Sequence, residues 1–251
     1  MQANSINEVI ICLDKIIRSC EEKSSRTGYF ASLYKAMTLG VQTGIEQKVF
    51  EDSARMERLD VAFANRYLDA YNMYISDRQP THSWMYAFKA SEQMNLTVVQ
   101  HLLLGINAHI NLDLGIATAS ISTSDNLESM HHDYNQINEI IANVYNSMDK
   151  ALRKIAWPAV FLRPFDMGGT NSVINFSMQK ARDTAWNNAK LLVGMSSGIE
   201  DQVIRNTDSV ISKVATAIQN PGGIIKWLTR SILLFESKDV TGNIMALNER
   251  S

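Results

Sequence analysis

The chain has 251 residues, 45% of them hydrophobic, and a net charge of −2 with both signs interspersed. That supply of apolar side chains is enough for a sizeable core and excludes a disordered chain. With no basic stripe and no polybasic run, nucleic acid and anionic membrane are not expected partners.

Four prolines and twelve glycines punctuate the whole length. Long stretches follow the helical period of about 3.6 residues, and none alternates like a strand. The pattern predicts an all-α fold, a single helical domain over residues 1–251. Its core is expected over about 29–155, with C-terminal helices over about 172–236 packed on it.

The first helix is expected to open on a capping box, Ser5 with Glu8, and to run to about residue 22. Cys12 and Cys20 both fall on it, about 12 Å apart along the axis. A disulfide needs Cα atoms within roughly 7 Å, so the two thiols are expected to be unpaired. Unpaired thiols fit a reducing compartment. The apolar run 9–13 is too short, and lacks the basic start, for a signal peptide. A cytoplasmic location is therefore expected.

A second helix is predicted over 29–48, weakened by Gly40 and Gly44, and a third over 53–76. The third carries an apolar and aromatic stripe of Met56, Leu59, Phe63, Tyr67, Tyr71 and Tyr74. Asp60 lies within that stripe, where a carboxylate must be paired, protonated or bound to something. Arg66 and Asp69 sit at its edges, three apart. They either pair with each other at the surface or join a site, Arg66 among the catalytic residues and Asp69 as a metal ligand. Pro80 begins a shorter helix reaching about residue 94, with His82 as a capping-region residue.

The central helix is predicted over 96–119, inside the apolar run 98–121. Its length would span a membrane, but its polar residues, Asp113 among them, predict the core helix of a bundle instead. A Ser/Thr-rich connection at 121–124 precedes a helix over 127–155. That helix buries Ile137, Ile141, Val144 and Met148. Of His131, His132 and Asp133 at its start, Asp133 falls nearest the buried face. It reads either as a metal ligand or as a first-turn carboxylate opposing the helix dipole. Residues 157–170 are the longest break, followed by helices over 172–195 and 199–218, a turn at 220–223, and a last helix over 224–236. Arg182 and Asp183 either bind an anion or make surface pairs, and Trp186 is one turn from Arg182.

The central helix carries His101, Asn107, His109, Asn111 and Asp113. Buried polar side chains are costly unless paired, so this many in one core helix need partners or a ligand. At about 100° per residue, His101, Gly105, His109 and Asp113 share one face, and Asn107 and Asn111 lie roughly opposite. His109 and Asp113 are one turn apart, about 6 Å along the axis, close enough to share a metal ion. His101 is about 12 Å from His109 and falls at the other end of a longer pocket.

Phe63-Ala64-Asn65-Arg66-Tyr67-Leu68-Asp69-Ala70, then Ser83-Trp84, then the unbroken stretch from Gln100 through Asn107-Ala108-His109-Ile110-Asn111-Leu112-Asp113-Leu114-Gly115, resembles a bacterial family of helical proteins known only as a domain of unknown function. Arg182-Asp183-Thr184-Ala185-Trp186 is similar to its pattern as well. The resemblance covers about residues 29–192. It implies a shared helical fold and brings no activity.

Three functions fit these residues. The first is a metal-dependent enzyme acting on a small molecule. His109 and Asp113 would hold a divalent ion with Asp60, Asp69 or Asp133, and the ion would activate water. The second needs no metal: His101 and His109 act as acid or base, oriented by Asp60 or Asp113, while Asn107, Asn111 and Arg182 position the ligand. The third is a polar network that sets helix register. No phosphate loop, nucleophile elbow or zinc-protease motif is present, and no substrate class follows from the residues.

Overall fold

A computed structural model describes residues 1–155 and 170–249, with the side chains of 145–150 and 170–177 left aside. The predicted break at 157–170 therefore lies outside the described residues, apart from Thr170. The described chain is helical throughout and contains no strand.

The helices are α1 (Ile6–Glu22), α2 (Thr27–Glu46), α3 (Ser53–Ile75), α4 (His82–Ala90), α5 (Val98–Ala108), α6 (Leu114–Ser120), α7 (His131–Ile155), α8 (Thr170–Leu192), α9 (Ser197–Gln219), α10 (Gly223–Phe235) and α11 (Val240–Asn248). A π-helical turn, His109–Asp113, joins α5 to α6, so 98–120 is one continuous central helix. By length and composition this segment suffices to cross a membrane, and 72% of its most apolar window is buried inside the bundle.

Polar atoms at helix ends explain several boundaries. Ser5 caps α1 by accepting from Glu8 N–H. The predicted box is only half made, because Glu8 reaches the N–H of Asn4 instead. Thr97 and Gln100 form a complete capping box on α5. Glu236, far along the chain, accepts the buried N–H of Val98 in the first turn of α5. Helix α11 has no counterpart among the predicted elements. It is only nine residues long, started by Asp239, whose side chain accepts from Gly242 N–H. Such short helices are stabilised by docking rather than by propensity. Here Ile244 and Leu247 are buried in the core shared by α1 and α2.

The core is wider than residues 29–155. Val9, Leu13, Ile16 and Ile17 of α1 pack with the aromatic residues of α2 and α3. A second cluster joins Met56 and Leu59 of α3, Ile110, Leu114 and Ala117 of the central helix, Tyr134 of α7, and Ala185 and Trp186 of α8. The central helix runs through both clusters, which is why its whole circumference is apolar. Two glycines of the central helix permit close approaches. A Cβ on Gly105 would stand 2.3 Å from the Phe30 ring, and one on Gly115 would meet the Ala185 carbonyl oxygen at 2.9 Å. Gly105→Ala is expected to push Phe30 aside and cost about 1–3 kcal/mol, measured by urea unfolding. An unchanged midpoint and slope would show that the ring moves freely.

Candidate functional site

Three donors converge on Asp113, which is 1% exposed. Trp84 Nε1–H donates to Oδ2 at 2.7 Å, and His109 Nδ1 lies 3.1 Å from the same oxygen. Arg66 Nε donates to Oδ1 at 3.4 Å from a half-exposed side chain. The π turn brings the acid and the imidazole together. Leu114 N–H bonds His109 O, five residues back, and a turn of that width sets residues four apart nearly above one another. Single π turns inside α-helices are frequent at functional sites.

The tautomer of His109 follows from this network. A carboxylate has only lone pairs to offer, so Nδ1 carries the hydrogen and Nε2 is left bare. Burial pushes the imidazole's pKa down, and Arg66 adds to that, while Asp113 opposes it. The ring is thus a neutral base rather than half of an ion pair. It is also clamped: Phe63 stacks on it with centroids 3.6 Å apart and planes within 5°, and Tyr34 meets it edge-on at 4.4 Å. His109 Nε2 is buried with no hydrogen-bond partner among the described residues.

His109 lines a cavity bounded by α2, α3, the central helix, α7 and α8. Its walls include Phe30, Leu33, Met37, Phe63, Ile106 and Ile141, and its polar lining is Tyr34, Asp60, His109 and Arg182. The cavity volume is about 80 Å³. One water needs roughly 10–15 Å³, so the cavity accommodates a small molecule. An apolar cavity with a few convergent polar groups is the usual form of a small-molecule site.

Asp60 brings a second unusual group. Its Oδ2 has no partner among the described residues, and burial, with help from Glu57, pushes its carboxyl up to about 7. At neutral pH a share of Asp60 is therefore a protonated acid inside the same cavity as a bare imidazole nitrogen. A pair of groups pushed to opposite roles by their surroundings is the signature of acid–base chemistry.

The other predicted residues go elsewhere. His101, pushed down to about 4 by burial and Arg26, lines a separate space of about 20 Å³ with Tyr67 and Trp84. Phe30 lines both spaces and stands between them. Asn107 donates to Ile211 O at 3.1 Å and accepts from Asn111 at 3.0 Å, so the two tie the central helix to α9. Asp133 accepts the backbone N–H groups of Glu51 and Asp52, at 2.7 and 2.9 Å, and so holds the chain entering α3. Asp69 is exposed, and Arg66 pairs with Asp113 instead of with it. Arg182 makes no surface pair: it is 3% exposed and lies over the Tyr134 ring at 4.3 Å. Among the described residues no three His, Cys, Asp or Glu side chains stand together in a way that could hold a metal ion.

Sequence reasoning missed Trp84 as a partner of Asp113. The indole is separated from Asp113 by a loop and a helix boundary, and helical spacing carries no signal across such a gap. Tyr34 and the stacking role of Phe63 were missed for the same reason.

No curated protein and no solved structure matches the chain. A family model described as a family of unknown function, DUF5995, matches residues 6–221, a span that holds Asp60, Arg66, Trp84, His109, Asp113 and Arg182. The chain, with its buried carboxylate–imidazole pair, belongs to that family.

Proposed function

We propose that the protein binds a small, largely apolar molecule in the cavity between α2, α3, the central helix, α7 and α8 and moves protons on it without a metal. The observation that carries this reading is His109: one ring nitrogen is held by Asp113, and the other is bare, buried and unpaired beside the cavity. His109 Nε2 takes a proton from the ligand, and Asp60 supplies one to the atom where charge gathers. The net change is a tautomerisation, which needs no co-reactant, and exchange with water resets the pair. General acid–base groups of this kind contribute about 10²–10⁴ in rate. Asp113 is a positioning residue, which holds the imidazole tautomer and stabilises the imidazolium as it forms.

Cyclohexanone, apolar and enolisable, is a suitable probe. In heavy water at neutral pH the protein is expected to accelerate exchange of its α-protons, followed by proton NMR. His109→Gln should return the rate to that of buffer. If cyclohexanone shifts the His109 resonances and yet exchanges no faster than in buffer, proton transfer is overturned and binding alone survives. Metal analysis of protein purified without a polyhistidine tag tests the rival. A stoichiometric ion that disappears in His109→Ala would replace this reading with a metal-dependent one.

A further inference from the structure

Arg182 is a buried cation without a counter-ion among the described residues. Its Nη2 donates to the Tyr134 backbone carbonyl, and its guanidinium carbon lies over the Tyr134 ring, 4.3 Å from the centroid. Tyr134 OH returns a hydrogen bond to the Arg182 carbonyl at 2.8 Å. These contacts hold the side chain in one place, but none neutralises it. Its Nε is buried and has no acceptor. Asp183, the next residue, is exposed to solvent. Burial pulls the Arg182 pKa down, and Tyr134 and Asp183 offset that only in part. A guanidinium nonetheless stays charged in a protein. Asp60 lines the same cavity but is not the missing partner, because Glu57 is the charge that acts on it and burial drives it toward its neutral form.

We infer that the ligand of this cavity carries an anionic group of the carboxylate class, bound by the guanidinium of Arg182, with an apolar body against Phe30, Phe63 and Ile141. This rests on the cavity being the ligand site, as proposed above. A buried charge is tolerated where a partner of opposite sign completes it, and arginine offers a carboxylate directed N–H donors in a rigid plane. The aromatic stack under Arg182 orients that plane before the ligand arrives. Apart from Tyr34, Asp60 and His109 the walls are apolar, so the ligand is an amphiphile with one charged end. A bound carboxylate also discourages ionisation of Asp60, which keeps it a proton donor.

The test uses an isosteric pair, cyclohexanecarboxylate and cyclohexylmethanol, titrated calorimetrically into the full-length protein at neutral pH. The carboxylate is expected to bind at least tenfold more tightly. Arg182→Met should abolish that preference while binding of the alcohol persists, and Arg182→Lys should keep part of it. Should Arg182→Met fail to fold, the unmodified protein decides: the Arg182 Nε–H resonance should shift with the carboxylate and stay still with the alcohol. Equal binding of the two probes, or a preference that survives in Arg182→Met, overturns the anionic head and leaves the cavity reading intact. If neither probe binds or perturbs the resonances of Phe63 and His109, the cavity reading fails and the inference goes with it.

Discussion

Asp113→Ala is expected to destabilise the protein by about 3–5 kcal/mol, the size of effect seen when one member of a buried charged network is removed. The change strands three donors at once: Trp84 Nε1–H and His109 Nδ1–H, both buried, and half-exposed Arg66. Asp113→Asn separates the fold from the chemistry. Trp84 Nε1–H and His109 Nδ1–H meet the same oxygen, so an amide oxygen in that place still accepts from both, and the amide nitrogen takes the place beside half-exposed Arg66. The tautomer is kept, but the negative charge that stabilises the imidazolium is lost. Stability should fall far less than in Asp113→Ala, while proton transfer to His109 drops by about 10². Nitrogen NMR of histidine-labelled protein reads the tautomer directly. If Nε2 is already protonated in the wild type, the assignment of His109 as a base is wrong.

Asp60→Asn is expected to act in the opposite direction on stability. Holding the carboxyl at about 7 rather than its ordinary 3.8 makes the ionised form cost about 4 kcal/mol in the folded state. The sign follows from comparing the two states. Below about pH 4 the carboxyl is protonated both folded and unfolded, so Asp60 costs nothing extra. As pH rises from about 4 to 7 the unfolded chain ionises while the folded one keeps its proton, and stability falls by about 1.4 kcal/mol per pH unit. Above about 7 both are ionised and the loss is complete. Asparagine carries no such cost. Denaturation midpoints of Asp60→Asn and wild type should lie close together at pH 4 and diverge at pH 8, with the variant the more stable. A difference that does not change with pH would show that Asp60 is paired in solution. The more stable variant should nonetheless lose acceleration of cyclohexanone exchange, since a strained acid at a working site is kept at the expense of stability.

The two variants separate the roles proposed for each group. On that proposal Asp113 stabilises the fold and orients the base, and Asp60 is kept as the cavity's acid at the expense of stability. A purely structural polar network would give the Asp113 result without the Asp60 result.

Much of this was legible in the chain. The helical period, the sparse prolines and glycines and the capping residues predicted an all-helical chain, and the helix ends came within a few residues because caps are local chemistry. The polar residues of the central helix marked where to look, and Asp60 stood out as a carboxylate within an apolar stripe. Angular counting placed Asn107 and Asn111 away from His109; Asn107 bonds α9, and Asn111 bonds Asn107. Helix α11 was not legible, because nine residues stabilised by distant partners leave little periodic signal.

What sequence could not determine was which polar residue meets which. Spacing of four allowed His109 and Asp113 to share an ion, but gave no sign that Trp84 from α4 and Arg66 from α3 also reach Asp113. Counting along one helix put His101 on the same side as His109, but a phenyl ring from α2 stands between them. Arg182 fitted a surface pair as well as an anion site until packing of α8 on α7 buried it over Tyr134. Local pattern determines which face of a helix is apolar, because that depends on residues within a few turns. Partners, burial and the resulting protonation states depend on side chains tens of residues apart, and only the folded arrangement of all the helices sets those.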